Sequence, residues 1–216
     1  MFMTNKHGQT GHSTTLGNQR TPRVVRGCLE GKRVVYVDAR AHHTACIDED
    51  GDLYTWGDGG DGRLGHGDEV TLSSPKRVDG LVGKKCSSVA CGGHHTLVLA
   101  GAGSIYSFGH DDEGQLGRGD RENQASPALV EVPLEGKIMK QVACGFAHSM
   151  AVSKGRVLYT WGEGSSGALG HGSELNYPIP CIFESLLGNN VVNINSSYAH
   201  SVALAEPNEQ SHLERA

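Results

Sequence analysis

The sequence predicts an all-β protein: an incomplete β-propeller of three full four-stranded blades and a partial fourth. Three observations predict it. Four motif columns recur every 52–53 residues, glycine is concentrated at fixed points of that repeat, and the runs between glycines are short and strand-like. Of 216 residues 31 are glycine, about twice the usual share, while only 7 prolines exclude a collagen-like or proline-rich chain.

The columns keep one register. Tyr54-Thr55-Trp56-Gly57 returns as Tyr106-Ser107-Phe108-Gly109 and Tyr159-Thr160-Trp161-Gly162. Gly62-Arg63-Leu64-Gly65-His66-Gly67 returns as Gly114-Gln115-Leu116-Gly117-Arg118-Gly119 and Gly167-Ala168-Leu169-Gly170-His171-Gly172, with a degraded copy at Gly8-Gln9-Thr10-Gly11-His12. His43-Thr44, His95-Thr96, His148-Ser149 and His200-Ser201 form a third column, and Pro22, Pro75, Pro127 and Pro180 a fourth.

One unit shows the elements in order. Cys86–Cys91 is small and partly β-branched, and Gly92-Gly93 ends it. Thr96–Ala100 is apolar but too short for a helix. Gly101-Ala102-Gly103 signals a turn, and Ser104–Phe108 alternates up to Gly109. A stretch after the repeated proline, such as Lys76-Arg77-Val78, supplies a fourth strand. Four short strands in a unit of this length are the pattern of a propeller blade. The glycines of the G-x-L-G-x-G segment are expected to supply positive φ or close approach in a connection between blades. Leu64, Leu116 and Leu169 are its apolar pegs. The expected organisation is a flexible 1–7, propeller units at about 8–57, 58–109, 110–162 and 163–205, and a flexible 206–216.

Charge and cysteine usage narrow the function. The net charge of −5 argues against a protein that works by neutralising phosphates, so direct nucleic-acid binding is not expected. No apolar run is long enough to cross a bilayer, and no opening stretch reads as a secretory signal. The six cysteines show no C-x-x-C spacing and are expected to be reduced, in a cytoplasmic or nuclear setting. Asp48-Glu49-Asp50-Gly51-Asp52 fails as a calcium loop: Gly59 stands where the loop needs Glu, and its glycine is at the wrong place. Cys91 with His94-His95 offers no four converging ligands for zinc. No metal, cofactor or catalytic residue is expected, and the chain reads as a non-enzyme.

What repeats builds the scaffold; what differs between repeats is free to recognise. His43, His95, His148 and His200 are therefore read as structural, bonded to nearby backbone at the blade turn. Trp56, Phe108 and Trp161 belong to the repeated strand. The variable positions lie just before the repeated histidine and just after the Y-x-[WF]-G strand, in turns that should cluster on one rim. Phe146 and Tyr198, with His42 and His94, are the candidate contacts before the histidines. Asp58, Asp61, His110, Asp111, Asp112, Glu113 and Glu163 are the candidates after the strands. Aromatic anchors beside carboxylates suit a basic protein surface.

From about Gly8 to Ala205 the chain resembles the regulator of chromosome condensation family, through Ala90-Cys91-Gly92-Gly93-His94-His95-Thr96, Ala143-Cys144-Gly145-Phe146-Ala147-His148-Ser149 and the segments quoted above. The resemblance implies a propeller, usually of seven blades. Only three complete Y-x-[WF]-G strands occur here, so a piece of a longer protein is the leading expectation. Self-association through open blade edges and a stable open arc are the alternatives. The resemblance also implies a protein-interaction scaffold that presents its rim to a partner. The alternative is part of an exchange factor for the small GTPase Ran, the founding member's activity. That activity uses a wedge-like insertion for which the 52–53 spacing leaves no room, and residues 1–26 supply only Lys6, Arg20, Arg23 and Arg26 for a basic tail. Light sensing in the plant ultraviolet-B photoreceptor uses Trp in the rim turns, where this chain has Ala41, Gly93, Phe146 and Tyr198.

Overall fold

The runs richest in apolar residues, such as Thr96–Ala100, become the second strand of each blade, hydrogen-bonded on both edges and covered on both faces. In a computed structural model, which describes residues 5–12 and 21–208, every residue of β2 (His43–Asp48), β6 (His95–Ala100) and β10 (His148–Ser153) is buried. Burial on both faces explains why these strands do not alternate. Around them fold three antiparallel four-stranded meanders. The first is β1 (Val34–Arg40), β2, β3 (Leu53–Gly57) and β4 (Leu72–Arg77). The second is β5 (Cys86–Cys91), β6, β7 (Ser104–Gly109) and β8 (Gln124–Leu129). The third is β9 (Met139–Cys144), β10, β11 (Leu158–Gly162) and β12 (Tyr177–Ile182). A fourth sheet holds only β13 (Asn189–Ser196) and β14 (Ser201–Pro207). The described residues contain short 3-10 turns but no α-helix, and no helix is long and apolar enough to cross a membrane.

Blade boundaries depart from the sequence units. The G-x-L-G-x-G segment joins the third and fourth strands of one blade instead of linking two blades: Gly57 pairs with Leu72 and Gly109 with Gln124. Units cut at Gly57, Gly109 and Gly162 thus separate each sheet from its outer strand. That outer strand runs through the repeated proline (Leu72–Arg77 contains Pro75), which an edge strand tolerates because one side of it needs no ladder donor. In space the segment still bridges blades. Gly67 N–H donates to Ala125 O of the next blade at 2.8 Å, and Gly119 N–H to Pro178 O at 2.9 Å. Gly62, at φ +75°, shows why the column is glycine: a Cβ there would stand 2.4 Å from Ala125 Cα.

The ends also differ from expectation. Residues 1–4 and 209–216 lie outside the described residues. Asn5 is buried and accepts from Thr10 N–H at 3.1 Å, and His7 packs on His42 with ring centroids 4.9 Å apart, so residues 5–7 are part of the fold. Strand β14 continues through Glu206 to Pro207, beyond the expected end of the repeat at 205.

The core lies between blades. Ala45 and Ile47 share a buried cluster with Val89 and Val98, Leu97 and Leu99 with Val142 and Ala151, and Met150 and Val152 with Val191 and Ile194. The pegs Leu64, Leu116 and Leu169 are all buried. All six cysteines are free. Burial raises the thiols of Cys46 to about 12 and Cys86 to about 11, so both stay protonated near neutrality.

A three-atom relay crosses each junction. His43 Nε2 lies 2.9 Å from Thr96 Oγ1, His95 Nε2 3.0 Å from Ser149 Oγ and His148 Nε2 2.9 Å from Ser201 Oγ. Those hydroxyls donate to Arg63 O at 2.8 Å, Gln115 O at 2.7 Å and Ala168 O at 2.8 Å. Each hydroxyl has one proton and spends it on the carbonyl, so the imidazole Nε2–H is the donor; burial lowers the pKa of each ring and keeps it neutral near pH 7. The expected backbone partner is therefore replaced by a hydroxyl of the following blade. The reason is geometric: the ring points across the junction, not along its own turn. His200 departs from its column. It is exposed, and no described residue receives its ring.

Candidate functional site

The turns before the repeated histidines and after the third strands meet at one end of the blades. Asp58 N–H donates to His42 O, His110 N–H to His94 O and Glu163 N–H to Ala147 O, each at 2.9 Å. Neighbouring blades are tied at the same level, Gly93 N–H to Phe146 O and Phe146 N–H to Tyr198 O, again at 2.9 Å. This backbone ladder sets a row of rings side by side. Phe146 and Tyr198 stack with centroids 4.6 Å apart, His94 meets Phe146 edge-on at 5.4 Å, and His110 lies 6.0 Å from His94. Tyr198 is 65 % exposed, whereas Phe146, between it and His94, is half-buried. His42 sits apart, against His7 on the first blade, where burial and the neighbouring His7 lower its pKa.

The carboxylates separate into three groups. Asp58 and Asp61 are held by Arg63, whose buried guanidinium approaches them at 3.3 and 3.0 Å and donates to Gly60 O at 2.8 Å. His94 Nδ1 joins this knot, 3.0 Å from Asp61 and 2.8 Å from Arg63. Burial alone would raise the Asp61 carboxyl, but the His94 hydrogen bond and the Arg63 charge overcome it, and the pKa falls below the ordinary value. The same balance at Asp58 is set by burial against the Gly60 N–H and Arg63. These two carboxylates are thus neutralised within the chain and add little field to the rim. Asp112, 3.2 Å from His110, is exposed; Glu113 accepts from Asn176 Nδ2, and Glu163 accepts from Ser165 Oγ at 2.7 Å. Asp112 is thus the exposed negative group beside the ring row, while Glu113 and Glu163 are half-buried.

Asp111 is a correction to the rim reading, because it is fully buried. Its Oδ1 accepts Leu116 N–H at 2.7 Å and so caps the inside of the connection, while Oδ2 has Arg118 only at 3.8 Å. Burial pushes its carboxyl up to about 7. The folded state then favours the protonated form. Its stability contribution is full below an unfolded pKa of about 3.9 and is lost as pH rises through 7. Asp111→Asn keeps the acceptor and removes this slope. Relative to the unsubstituted chain, the variant should gain on the order of 3 kcal/mol between pH 4 and pH 8, read by urea unfolding at both. Equal gains at the two pH values would contradict the assignment.

Sequence reasoning missed Arg63, the organiser of the acidic knot, and His7. Arg63 was legible: in its column the other copies carry Gln9, Gln115 and Ala168, so it is the odd member of a repeated position. His7 lies outside every recurring motif, and only the fold brings it to His42. Among the described residues no group of three or more His, Cys, Asp or Glu is arranged to hold a metal ion.

Radially arranged four-stranded blades, joined by repeated junctions and topped by a variable rim, define a repeat propeller. The chain belongs to the regulator of chromosome condensation (RCC1) repeat family, whose model matches residues 50–99, 102–152 and 155–204. It is 37 % identical over 201 residues to the human E3 ubiquitin-protein ligase HERC2, which covers 92 % of this chain and 4 % of that protein. It is 36 % identical over 204 residues to the Arabidopsis thaliana ultraviolet-B receptor UVR8, covering 94 % of this chain and 46 % of the receptor. The chain therefore spans less than half the length of these relatives. Human WBSCR16 superposes with a TM-score of 0.85 at 24 % identity, covering 94 % of this chain and 52 % of that one. Prp20p of Saccharomyces cerevisiae, described with its binding to Gsp1p and histones, superposes at 0.81 with 22 % identity, covering 98 % and 52 %.

Proposed function

We propose that this chain is a non-catalytic docking module that presents its rim to a basic segment of a partner protein, in a cytoplasmic or nuclear setting. The observation that carries the reading is the contiguous row His110–His94–Phe146–Tyr198, flanked by the exposed Asp112 and the half-buried Glu113 and Glu163. Rigid aromatic faces give contact area at low entropic cost, and adjacent carboxylates add attraction to Lys or Arg. Binding of a fluorescent Lys/Arg-rich peptide tests this. Phe146→Ala with Tyr198→Ala should weaken it at least about tenfold with little change in melting temperature. A Glu-for-Lys/Arg control peptide should not bind. Unaltered affinity of the double variant would remove the rim from the reading.

A second reading is part of an exchange factor for Ran. Its support is the fold shared with Prp20p, described with its binding to Gsp1p. Acceleration of nucleotide release from Ran by the purified chain would support it, and no acceleration would reject exchange activity by this chain on its own.

A further inference from the structure

Three hydrogen-bonding groups meet at one nitrogen of the rim. His94 Nδ1 lies 2.8 Å from Arg63 Nη2 and 3.0 Å from Asp61 Oδ2, and Arg63 Nη2 donates to the same Asp61 oxygen at 3.0 Å. The two neighbours make opposite demands. A guanidinium only donates and a carboxylate only accepts, whereas Nδ1 carries either a lone pair or a proton. An uncharged ring can offer its lone pair to Arg63. A protonated ring has none, so it keeps Asp61 and stands donor to donor against Arg63. Arg63 has a second place to rest, because its Nη1 is 3.3 Å from Asp58 while its Nε holds Gly60 O. The neighbouring His110 is wired differently. Gln115 Oε1 accepts Glu113 N–H at 3.0 Å, which turns its Nε2 toward His110 Nδ1 at 2.9 Å, and His110 Nε2 faces Asp112 at 3.2 Å. A proton on that Nδ1 would lose Gln115 and gain no acceptor. The remaining charged surroundings of His94 are Asp58, His42 and His43 of the first blade, and the third blade adds the edge-on Phe146 ring.

We propose that His94 is a proton-operated switch of the rim. Uncharged, it accepts from Arg63 and leaves the ring row open to a basic segment. Protonated, it takes Asp61, sends Arg63 toward Asp58 and sets a positive charge in the middle of the row, which expels that segment. Histidine is the side chain suited to this task, since its charge changes between about pH 5 and pH 8. The release of a basic segment rests on the docking reading above, whereas the exchange of partners at Nδ1 does not.

The experiment titrates an acetylated, Arg-rich fluorescent peptide without histidine into the 216-residue chain and into His94→Gln, at pH 8 and pH 6 and fixed ionic strength. Such a peptide keeps its own charge across the interval. The unsubstituted chain should bind it at least about tenfold more weakly at pH 6. Glutamine still offers Arg63 an acceptor but takes no proton, so the variant's two affinities should differ by at most about threefold. Asp111 also gains a proton over this interval, but it is present in both proteins, so the difference between their ratios belongs to His94. The His94 side chain is partly exposed, and an unaltered melting temperature of the variant at each pH shows that folding is retained. A variant as pH-dependent as the parent chain overturns the assignment to His94. A parent chain that binds equally at both values overturns the switch and leaves the docking reading standing. A peptide that binds at neither pH removes the docking reading and the release with it. The exchange itself is read separately, by nitrogen NMR of the imidazole in the free chain, where Nδ1 should be unprotonated at pH 8 and protonated at pH 6. An Nδ1 in the same state at both overturns it.

Discussion

Trp161→Ala is expected to cost about 3–5 kcal/mol, the usual range for deleting a large aromatic from a packed core. The side chain is fully buried in the cluster shared by the second and third blades, and its Nε1–H donates to Gln115 O at 3.0 Å. That same carbonyl receives Ser149 Oγ, so the indole and the junction relay end on one oxygen. Trp161→Phe separates packing from hydrogen bonding. Phe108 fills the equivalent position of the second blade with no ring N–H, and there Arg63 O receives only Thr96 Oγ1. The phenylalanine variant should therefore lose about 1 kcal/mol. Urea unfolding of both variants checks the pair; similar losses would mean that the hydrogen bond, and not the ring volume, dominates.

Acidification from pH 7 to pH 5 should remove on the order of 3 kcal/mol of stability. Burial holds His43 neutral down to about 3 and His148 down to about 4, and it lowers His95 well below the ordinary histidine value. An unfolded histidine takes its proton near pH 6.5, so each contribution is full above that value and is lost as pH falls toward the folded pKa. At pH 5 this is about 2 kcal/mol per ring. Asp111 acts in the opposite direction and returns about 2–3 kcal/mol over the same interval. Melting temperatures measured from pH 7 to pH 5 test the balance. His95→Ala should be less stable at pH 7 but decline less on acidification, and a profile as steep as that of the parent chain would disprove the assignment of that ring.

The blades and their junction residues were readable because every blade solves the same packing problem, so selection for burial writes the same letters at a fixed interval. The pegs, the first three histidines and the Y-x-[WF]-G residues, apart from the partly buried Tyr106, occupy the interior that their recurrence implies. The blade boundary was less readable. A glycine-rich segment looks the same whether it joins strands of one sheet or two sheets, and only the pairing of Gly57 with Leu72 decides it. The rim was partly readable. Phe146 and Tyr198 stand out as departures from their column, but sequence could not show that they stack on each other. Nor could it separate the outward Asp112 from the inward Asp111 next to it, since a one-residue difference in turn direction leaves no mark on composition.

The recurring histidine-to-hydroxyl contact has a further consequence. His43, His95 and His148 each meet the same kind of group, so deletion of one whole period leaves a seam in which His43 faces Ser149 in place of Thr96. The donor, the acceptor and the carbonyl behind them are all still present. Loss or duplication of a unit in the gene therefore needs no newly evolved contact, and proteins assembled from this module can change length in whole steps while each new boundary is already chemically matched.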